Sequence, residues 1–563
     1  MKVLIVGGVA GGATAAARIR RLDENAEIII FERTGFVSYA NCGLPYFAGG
    51  VIEDEEQLTL QAPEGFWSRY RVDVRIRQEV TKIDAEKKIL SVLDLQNGTV
   101  YEESYDKLIL SPGARPVLPD ISGIKNERVF TLRTVEDALQ IKNFADENKP
   151  KTVAVIGGGY IGLEMAENLA RRGVGVTVIQ RGGHLLGTLD SDMACLIHAE
   201  MQRHGVAVML NANVTEISER DGRLNIRSEC GRAVSADMVI LAVGVMPDTE
   251  LAKRCGIELG MKGSIVVNDR METSVSDIYA VGDAVEVVHF VTGKRAVISL
   301  AGPANKQGRI AADNICGVSS SYKGSQGSSV IKLFDLTVAT TGISEAQARA
   351  AGYDCEKVVL SPMSHASYYP GGRVMTIKVL FDKKTEQILG GQIIGASGVD
   401  KRIDVLATAI RGKMKASELA ELDLAYAPPY SSAKDPINMA GFIIENIVSG
   451  KVRQFHYEDV EKLPRDGSVF LLDSRTTGEY ARGHADGFVN IPLDDLRERL
   501  YEIQKGKTVY VMCQSGLRSY LAARILTLNG FDCRNFAGGY RFYDIVRRGR
   551  VLSDTAYPCG MEK

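Results

Sequence analysis

Residues Val3–Gly12 read Val-Leu-Ile-Val-Gly-Gly-Val-Ala-Gly-Gly, a short apolar run that ends in a glycine-rich loop. An Ala/Arg-rich stretch typical of a helix follows to about Leu22, and a second apolar run, Glu27–Phe31, ends in Glu32. Glycines let a backbone approach a pyrophosphate, and a carboxylate at the end of the next strand can hold ribose hydroxyls. Because strand, glycines, helix, strand and acid occur in this order, the stretch predicts a βαβ dinucleotide-binding unit.

The same pattern occurs a second time. Thr152–Ile156 is an apolar run, Gly157-Gly-Gly-Tyr-Ile-Gly162 follows it, and after a helical stretch comes the apolar run from Gly175. Two such units in one chain indicate two dinucleotide sites. The second unit ends in Gln180 and Arg181, where an acid would hold the 2′-hydroxyl of NAD. Arg181 could bind the 2′-phosphate of NADP, and the neutral Gln180 could serve either cofactor, so NADH and NADPH both stay open.

The chain has 563 residues, which is too long for one hydrophobic core, so we expect several domains. Leu108–Ala114 and Val239–Gly244 are apolar runs that enter glycine turns, and Lys323–Ser329 is a Gly/Ser-rich linker candidate. We predict an α/β protein with two Rossmann-like dinucleotide-binding domains, the second inserted into the first, then an α+β domain and a C-terminal α/β domain. The predicted domains are residues 1–115 with 245–325, residues 116–244, residues 326–448 and residues 455–563.

Composition restricts the partners and the compartment. The net charge of −2 gives no basic excess, so we expect no nucleic-acid and no membrane partner. No apolar stretch approaches a membrane span, and no Cys/His spacing resembles a metal site. Met1–Gly7 enters the first predicted strand directly, which leaves no room for a secretory signal. Nine scattered cysteines suit a reducing cytoplasm, so we expect a cytoplasmic protein.

Two cysteines stand in distinctive settings. Cys42 lies in Ser38-Tyr-Ala-Asn-Cys-Gly-Leu-Pro-Tyr46, beyond the first nucleotide unit, and Gly43–Gly50 holds no second cysteine. A lone redox thiol must form a mixed disulfide with an external thiol or be oxidised to a sulfenic acid, and the alternative for Cys42 is a small buried hydrophobe. Cys513 heads Cys513-Gln-Ser-Gly-Leu-Arg518. The cysteines that we expect in the hydrophobic core are Cys195, Cys230, Cys255, Cys316, Cys355 and Cys533.

From residue 1 to about 448 the chain resembles the pyridine nucleotide-disulfide reductase superfamily. The resemblance rests on the two glycine-rich units, on the position of Cys42 and on a run that ends in Val281-Gly-Asp283. It implies FAD in the first domain and NAD(P)H in the second, with NADH favoured. The residues expected to bind FAD are Gly7, Gly8, Ala10, Gly11, Gly12, Glu32, Arg33, Gly113 and Asp283. The residues expected to bind NAD(P)H are Gly157, Gly159, Gly162, Gln180 and Arg181.

The stretch around Cys42 is most similar to coenzyme A disulfide reductases, whose cysteine cycles through a disulfide with coenzyme A. Relatives that reduce peroxide or oxygen carry a histidine in the first glycine-rich loop, where this chain has Ala10. Arg18 and Arg21 share a helix face with Thr14, and two arginines suit phosphates, although they could equally form a solvated face. The residues that the resemblance places against coenzyme A are Thr14, Arg18, Arg21, Ser38, Asn41 and Lys434.

In these reductases the third domain forms a homodimer, and its tyrosines reach the partner subunit's cysteine. Tyr368 lies in Ser364-His-Ala-Ser-Tyr-Tyr-Pro370, and Tyr426 lies in Ala425-Tyr-Ala-Pro-Pro-Tyr430. These two tyrosines are our candidates to donate a proton to the leaving sulfur. Tyr369 and Tyr430 are close to them in sequence, and any of the four could instead be a core aromatic.

The last domain resembles a rhodanese domain over its whole length. The motifs are Asp473-Ser-Arg475, Glu479-Tyr-Ala-Arg-Gly-His484, Asn490-Ile-Pro492, Gly538-Gly539 and the Cys513–Arg518 loop. Inward-pointing amides and a helix N-terminus stabilise a thiolate or the terminal sulfur of a persulfide, and Arg518 adds a positive charge. The loop is one residue shorter than that of cysteine phosphatases, which favours a single sulfur atom. In the helix that follows, Leu521, Ile525 and Leu528 repeat at i, i+4 and i+7.

The fusion resembles NADH-dependent persulfide or polysulfide reductases. We therefore predict that NAD(P)H reduces FAD, that Cys42 attacks coenzyme A persulfide or polysulfide to release thiol and hydrogen sulfide, and that Cys513 supplies sulfane sulfur. One alternative is a coenzyme A disulfide reductase for thiol homeostasis with an independent rhodanese domain. A second is a rhodanese domain that docks a partner or senses sulfide. An NADH oxidase or peroxidase is disfavoured by Ala10.

Overall fold

The computed structural model describes residues 1–554, and the side chains of residues 1–550. The end of the predicted last domain, residues 555–563, lies outside the described residues. The chain forms two compact units, of which the first contains residues 1–181 and 205–327 and the second contains residues 182–204 and the chain from 328 onward. The chain passes from the first unit to the second at Gly327–Ser328, inside the Gly/Ser-rich stretch. The division into four domains stays a prediction.

The helices and strands are numbered in chain order. Up to residue 181 they are β1 Lys2–Val6, α1 Ala10–Leu22, β2 Glu27–Glu32, α2 Leu44–Ala48, α3 Pro63–Tyr70, β3 Asp73–Ile76, β4 Gln78–Asp84, β5 Ile89–Asp94, β6 Val100–Ser104, β7 Lys107–Leu110, β8 Ala114–Pro116, β9 Val129–Phe130, α4 Val135–Asn148, β10 Thr152–Ile156, α5 Tyr160–Arg171 and β11 Gly175–Ile179. From there to residue 327 they are α6 Ser191–Arg203, β12 Ala207–Met209, β13 Val214–Arg220, β14 Arg223–Ser228, β15 Ala233–Ala236, β16 Met238–Leu241, β17 Val245–Pro247, α7 Glu250–Arg254, β18 Ile265–Val266, β19 Ile278–Ala280, β20 Val285–Val288, β21 Arg295–Ala296 and α8 Ala301–Ile315. The remaining elements are β22 Ser329–Leu333, β23 Leu336–Gly342, α9 Glu345–Ala351, β24 Cys355–Leu360, β25 Thr376–Asp382, β26 Ile388–Gly395, α10 Val399–Arg411, α11 Pro436–Val448, β27 Arg453–Phe455, α12 Tyr457–Val460, β28 Phe470–Asp473, α13 Thr477–Ala481, β29 Val489–Asn490, β30 Val509–Met512, α14 Leu517–Leu528, β31 Cys533–Phe536 and α15 Gly539–Asp554.

The first parallel sheet has the strand order β19-β7-β1-β2-β3. Strand β1 lies between β2 and β7 and pairs Val3 with Ile28 and with Lys107. Val3, Leu4 and Ile5 are fully buried, as expected for a parallel strand that is covered on both faces. Helix α1 packs against α8. The carboxyl ends of β1, β2, β7 and β19 lie at one edge, where open α/β sheets bind their ligands.

The second parallel sheet repeats this arrangement with the order β12-β11-β10-β16-β9. Strand β10 pairs Val153 with Val176 of β11 and with Met238 of β16. A three-stranded antiparallel sheet, β13-β14-β15, follows β12 in the chain. The predicted α/β class with two Rossmann-like units is confirmed.

The second unit contains an antiparallel sheet, β22-β23-β26-β25-β24, and a parallel sheet, β27-β31-β30-β28-β29. Helix α10 packs against β23 and β26 through residues spaced by a helical turn, among them Ile403, Leu406 and Ile410. In the parallel sheet, β30 lies between β28 and β31, and Val509 and Val511 are fully buried. Cys513 follows β30 directly, so it lies at the carboxyl edge of that sheet.

A buried ion cluster links residues 182–204 to the rest of the second unit. The Lys378 ammonium group is 2.9 Å from carboxylate oxygens of Asp190 and Asp192 and 3.1 Å from Glu345. Burial acts to lower the pKa of Lys378, but the three carboxylates outweigh it and raise this pKa above its usual value. Among the described residues, none of the helices is long and apolar enough to cross a membrane.

Candidate active sites

The first glycine-rich loop is fixed by the acid that the sequence pairs with it. Glu32, which is 6% exposed, accepts hydrogen bonds from Gly8 N (2.9 Å) and from Thr34 N (3.0 Å). A Cβ at Gly12 would lie 1.9 Å from the carbonyl oxygen of Gly7, so only glycine lets α1 approach the turn this closely. Within the described residues no side chain caps the N-terminus of α1, which leaves its first amides to meet an anion.

The other predicted FAD residues lie around the same sheet edge. Asp283 follows β19 and pairs with Arg133 (2.8 Å). Arg33 follows β2 and pairs with Asp248 (2.8 Å), whose N–H donates to the carbonyl oxygen of Gly113 (3.0 Å). Ala10 and Gly11 begin α1. The uncapped helix, the glycine turn and the acid at the end of β2 fit an adenine dinucleotide such as FAD.

The second glycine-rich loop is held in the same way as the first, but by a neutral side chain instead of a carboxylate. Gln180 Oε1 accepts a hydrogen bond from Gly158 N (3.0 Å), so Gln180 takes the position that Glu32 holds in the first loop. A Cβ at Gly159 would meet nothing within 4 Å, so this face of the loop is open for a cofactor, and Gly162 lies in the first turn of α5. Arg181 is exposed at the end of the strand. This arrangement fits a nicotinamide dinucleotide and is compatible with a hydroxyl or a phosphate at the 2′ position.

Cys42 lies in a single turn of 3-10 helix, Asn41–Gly43, that leads into α2. Ser38, just before it, has a φ of 49°, which is a strained backbone conformation for a residue other than glycine, and its N–H donates to Gly8 O (2.9 Å). The Asn41 amide donates to the carbonyl oxygen of Arg133 (3.1 Å) and accepts from its Nη1 (3.3 Å). Arg133 therefore links Asn41 to Asp283 beside the thiol.

Cys42 is an exposed residue, but its surroundings disfavour the ionised thiolate. Partial burial raises its pKa above the usual value, the negative charges of Glu164 and Asp283 raise it further, and Arg133 partly offsets them. Glu164 comes from α5 and accepts a hydrogen bond from the Tyr46 hydroxyl (3.5 Å). Burial raises the pKa of Glu164 to about 7, so its charge changes near neutral pH.

Substitution of Glu164 tests this electrostatic coupling. Glu164→Gln removes a negative charge near Cys42, so the pKa of the thiol should fall and its alkylation by iodoacetamide at pH 8 should accelerate roughly two- to four-fold. The difference from wild type should vanish near pH 6, where Glu164 is protonated, and grow as the pH rises through about 7. Peptide mass spectrometry resolves Cys42 from Cys230, whose unchanged rate is the control. An equal Cys42 rate at every pH would contradict the coupling.

The predicted coenzyme A face of α1 is only partly free. Arg18 Nε lies 2.6 Å from a carboxylate oxygen of Asp313 on α8, and Thr14 Oγ1 donates to Asn305 (2.9 Å). Arg18 is therefore paired with a carboxylate, because α1 packs against α8 and brings Asp313 to it. Its contact with coenzyme A stays a prediction. Arg21 lies on a cleft of about 260 Å³.

Sequence reasoning did not identify two of the cationic side chains that line this cleft. The cleft is lined by Thr14, Arg18, Arg21, Asn305, Lys306 and Arg309. Lys306 and Arg309 belong to α8, nearly three hundred residues from α1, and local patterns do not reveal that the two helices pack together. The i, i+4 spacing of Asn305 and Arg309 was the available signal. Among the described residues, no carboxylate pairs with Arg21, Lys306 or Arg309, and three such cations on one cleft suit a polyphosphate.

In the second unit, two loops bring the predicted tyrosines together. The hydroxyl groups of Tyr368 and Tyr426 are hydrogen-bonded at 2.7 Å, although these side chains are 73% and 45% exposed. The bond to Tyr368 raises the pKa of Tyr426 above its usual value. Tyr369 and Tyr430 are also exposed, so none of the four is a core aromatic. Lys434 is exposed on the second loop.

Buried Arg402, which sequence reasoning missed, holds both loops. Its guanidinium donates to Asp435 (2.9 Å), to Ser431 Oγ (3.0 Å), and to the carbonyl oxygens of Ser364 (3.1 Å) and Tyr430 (3.2 Å). Arg402 is 1% exposed and comes from α10. The tyrosine pair therefore depends on one buried ion pair for its position.

Cys513 is fully buried at the base of its loop. Its sulfur accepts hydrogen bonds from Gly516 N (3.2 Å) and Ser519 Oγ (3.2 Å). The backbone N–H of Tyr540 donates to the carbonyl oxygen of Cys513 (2.6 Å), which ties the loop to the start of α15. Two donors on one sulfur, at the N-terminus of α14, form a cradle for a thiolate or a persulfide.

Arg518 lies at the end of this loop, but its charge is matched. Its guanidinium makes two bonds to Glu479, of 2.7 and 2.8 Å. The hydrogen bonds from Arg518, together with those from Thr476, lower the pKa of Glu479 to about 2, so Glu479 is ionised at neutral pH. The positive charge expected at Arg518 is therefore present, but the Glu479 carboxylate that α13 places beside it offsets this charge.

Two further findings concern exposure. Leu521 and Leu528 of α14 are 44% and 76% exposed, and the helix buries its opposite side through Ala522 and Leu526.

Cys230, expected in the core, is exposed in the turn after β14. Hydrogen bonds from Ser228 and Arg232 lower its pKa to about 7. Cys195 and Cys533 are buried as predicted, and Cys255, Cys316 and Cys355 are partly buried.

Comparison with known proteins identifies the fold family. The sequence model of the pyridine nucleotide-disulphide oxidoreductase family matches residues 1–308, that of its dimerisation domain matches residues 328–436, and that of the rhodanese-like domain matches residues 456–543. A coenzyme A disulfide reductase of Staphylococcus aureus (strain bovine RF122 / ET3-1) is 39% identical over 442 residues, which are 78% of this chain and 99% of that protein.

Two solved structures resemble nearly the whole chain. Reduced CoADR-RHD from Bacillus anthracis superposes with a TM-score of 0.95 at 45% identity and covers 98% of each chain. A NAD-dependent persulfide reductase from A. fulgidus gives a TM-score of 0.91 at 36% identity over 96% of this chain and 100% of that one. The family implies bound FAD and NAD(P)H. The predicted resemblance is confirmed, and the chain belongs to the pyridine nucleotide-disulphide oxidoreductase family with a C-terminal rhodanese-like domain.

Proposed function

We propose that this oxidoreductase uses NAD(P)H and FAD to reduce coenzyme A persulfide or polysulfide to thiol and hydrogen sulfide, with the rhodanese-like domain supplying sulfane sulfur. The observation that carries the proposal is the pair of cysteines. Cys42 is a lone exposed thiol beside a nucleotide-binding edge, and the Cys513 sulfur accepts two hydrogen bonds from its own loop and helix. The similarity to a persulfide reductase over 96% of the chain, rhodanese-like domain included, supports it.

The reaction at Cys42 balances without a second protein cysteine. The Cys42 thiolate attacks the inner sulfur of a coenzyme A persulfide, so a Cys42–S–S–CoA bond forms, the persulfide S–S bond breaks and hydrosulfide leaves. Two electrons and one proton then return this disulfide to the Cys42 thiolate and free coenzyme A thiol. The chemistry that bound FAD supplies is the transfer of the two electrons of the nicotinamide hydride to sulfur.

Coenzyme A would be held by the cationic cleft between α1 and α8. Arg21, Lys306 and Arg309 would bind its phosphates through charge-assisted hydrogen bonds. Arg18, which is paired with Asp313, would orient the cleft and contribute little net charge. Ser38 and Asn41 flank Cys42 and would contact the thiol arm.

Proton supply to the leaving sulfur is assigned to the tyrosine pair. The mutual hydrogen bond between Tyr368 and Tyr426 lets one hydroxyl donate outward while the other replaces its proton. Both are exposed on the part of the chain that matches the dimerisation domain, so we propose that a homodimer brings them to the partner's cysteine, with Lys434 beside the bound coenzyme A. Asp283 and the residues of the first glycine loop would hold FAD.

The second candidate is a coenzyme A disulfide reductase whose rhodanese-like domain works separately. One observation favours it: the match to the Staphylococcus aureus reductase takes in 99% of that protein while covering 78% of this chain. That reductase therefore corresponds to this chain without its last domain. The two candidates differ in whether Cys513 takes part in turnover.

Cys513→Ser in the full chain separates the candidates. When the sulfur comes from a donor that transfers it to Cys513 first, the variant should release sulfide with NADH at least roughly 100-fold more slowly than wild type. The reason is that serine cannot carry sulfane sulfur. Preformed coenzyme A persulfide does not need sulfur from Cys513. With this substrate the variant should release sulfide at the wild-type rate. Cys533→Ser, a change at a buried cysteine of the same domain, is the control. Unchanged rates with both substrates would favour the independent rhodanese-like domain.

A further inference from the structure

The charges around Cys513 suggest which sulfur donors can reach it. Two guanidinium groups lie at the loop, and each is matched by a carboxylate. Arg518 is bound to Glu479 by two hydrogen bonds of 2.7 and 2.8 Å. Arg475, which is 2% exposed, is bound to Asp473 by three contacts of 2.7 to 3.0 Å and also donates to Gln514 of the loop (3.4 Å). The two ion pairs together contribute no net charge.

Glu479 is fixed independently of Arg518. It closes the capping box at the start of α13, where its Oε2 accepts from Thr476 N (3.0 Å) and from Thr476 Oγ1 (2.9 Å). The carboxylate therefore does not depend on a ligand for its position, and it holds the Arg518 guanidinium through two hydrogen bonds. Of the four side chains in the loop after Cys513, Gln514 and Ser515 are neutral and Leu517 is apolar.

The rim of the loop is apolar. Leu517, within the loop, is 58% exposed, and Leu521, one turn further along α14, is 44% exposed. The carbon chain of an organic thiol can pack against such a rim, whereas a small inorganic dianion gains nothing from it. A dianion that approaches a thiolate also needs uncompensated cations, and the two guanidinium groups of this loop are already paired.

We propose that Glu479 is a specificity-determining residue that, by neutralising Arg518, makes the Cys513 loop accept sulfane sulfur from persulfides of organic thiols and discriminate against thiosulfate. Glu479 acts through Arg518 and is a positioning residue. The inference rests on the proposed function, whose sulfur-supply step it specifies.

The transfer step balances for a persulfide donor. The Cys513 thiolate attacks the terminal sulfur of R–S–SH, a Cys513–S bond forms, the donor S–S bond breaks, and R–S⁻ leaves. The proton stays on the transferred sulfur, so Cys513 becomes a neutral persulfide and the negative charge departs with the thiol. Ser519 and Gly516, which bond the Cys513 sulfur, hold the attacking atom in place.

The test measures sulfur loading of Cys513 in the full-length protein, without NADH, by peptide mass spectrometry. The probes are thiosulfate and glutathione persulfide. Wild type should react at least roughly 100-fold faster with the persulfide. Glu479→Gln keeps the capping box, since glutamine can also serve there, but frees Arg518 to meet an anion, so the thiosulfate rate should rise about ten-fold. The double variant Glu479→Gln with Arg518→Gln should lose this gain.

The matched control is Glu502→Gln, which removes the same charge from a glutamate of this domain that is paired with Arg499. Both of its rates should equal wild type. Equal wild-type rates with the two donors, or a folded Glu479→Gln protein without faster thiosulfate loading, would overturn the proposal.

A test in wild type alone does not depend on any variant folding. Added salt should raise its thiosulfate rate, because screening weakens the repulsion between the thiosulfate dianion and the Cys513 thiolate, beside which the guanidinium groups of Arg475 and Arg518 are already paired. A fall with salt would overturn the inference. Failure of the proposed function would appear elsewhere, as absent NADH-dependent sulfide release with Cys513 loading intact.

Discussion

Replacement of Cys42 by serine should lower NADH-dependent persulfide reduction by at least roughly three orders of magnitude, or about 4 kcal/mol of barrier. A serine hydroxyl is a far weaker nucleophile than a thiolate at neutral pH and cannot form the disulfide through which electrons reach the substrate. Gly43–Gly50 holds no second cysteine that could take over. The measurement is anaerobic NADH consumption with coenzyme A persulfide, compared at equal flavin content.

Cys230→Ser is the matched control for this experiment. Cys230 is exposed in the same unit and has a pKa lowered to about 7, so it is an accessible and reactive thiol with no predicted role. Its replacement should leave turnover unchanged. If Cys42→Ser kept more than a tenth of the activity, or if Cys230→Ser abolished it, the assignment of Cys42 would be wrong.

Arg402→Met should lower the free energy of unfolding by about 3–5 kcal/mol. The substitution leaves the Asp435 carboxylate, which is 3% exposed, without its buried cation and leaves the carbonyl oxygens of Ser364 and Tyr430 without their donor. Since these groups hold the loops of Tyr368 and Tyr426, turnover at a temperature where the protein is folded should fall as well. Denaturation by urea and steady-state kinetics provide the two measurements.

The stability loss should depend on pH in a defined direction. Burial acts to raise the pKa of Asp435, but hydrogen bonds from Ile437 and Ser431 and the charge of Arg402 outweigh it, so this pKa is lowered in the folded protein. In wild type, the stabilisation is present above the unfolded pKa of about 4 and is lost as the pH falls below it. The gap between wild type and variant should therefore narrow on acidification.

Lys383→Met is the control for Arg402→Met. Lys383 is half exposed and pairs with the exposed Asp354, so its replacement should cost at most about 1 kcal/mol. A loss below about 1 kcal/mol for Arg402→Met would show that the buried pair contributes no more than a surface pair.

The parts of the fold that could be predicted are those that depend on residues close together in the sequence. Each βαβ unit places an apolar strand, glycines and a helix within about 30 residues, which is the length over which such patterns are read. The Cys513 loop was recognised for the same reason, because its cysteine, glycine and arginine are contiguous. Cys230 was misread because a turn after an apolar strand is hard to distinguish from the strand itself.

The remaining features depend on contacts between distant residues. The pairing of Arg18 with Asp313 needs α1 to pack against α8, and the same packing brings Lys306 and Arg309 to the cleft. Glu479 and Arg518 both lie in recognised motifs, yet their ion pair, which offsets the charge of Arg518, is evident only once the fold brings α13 to α14. No spacing rule encodes such contacts.

The most direct test of the proposed activity is the substrate preference of the wild-type protein. Anaerobic consumption of NADH, or of NADPH, is measured with coenzyme A persulfide and with coenzyme A disulfide while sulfide is quantified. We expect the higher kcat/KM with the persulfide and sulfide release that matches nicotinamide oxidation. Preference for the disulfide, with no sulfide formed from the persulfide, would contradict the account and identify a coenzyme A disulfide reductase instead.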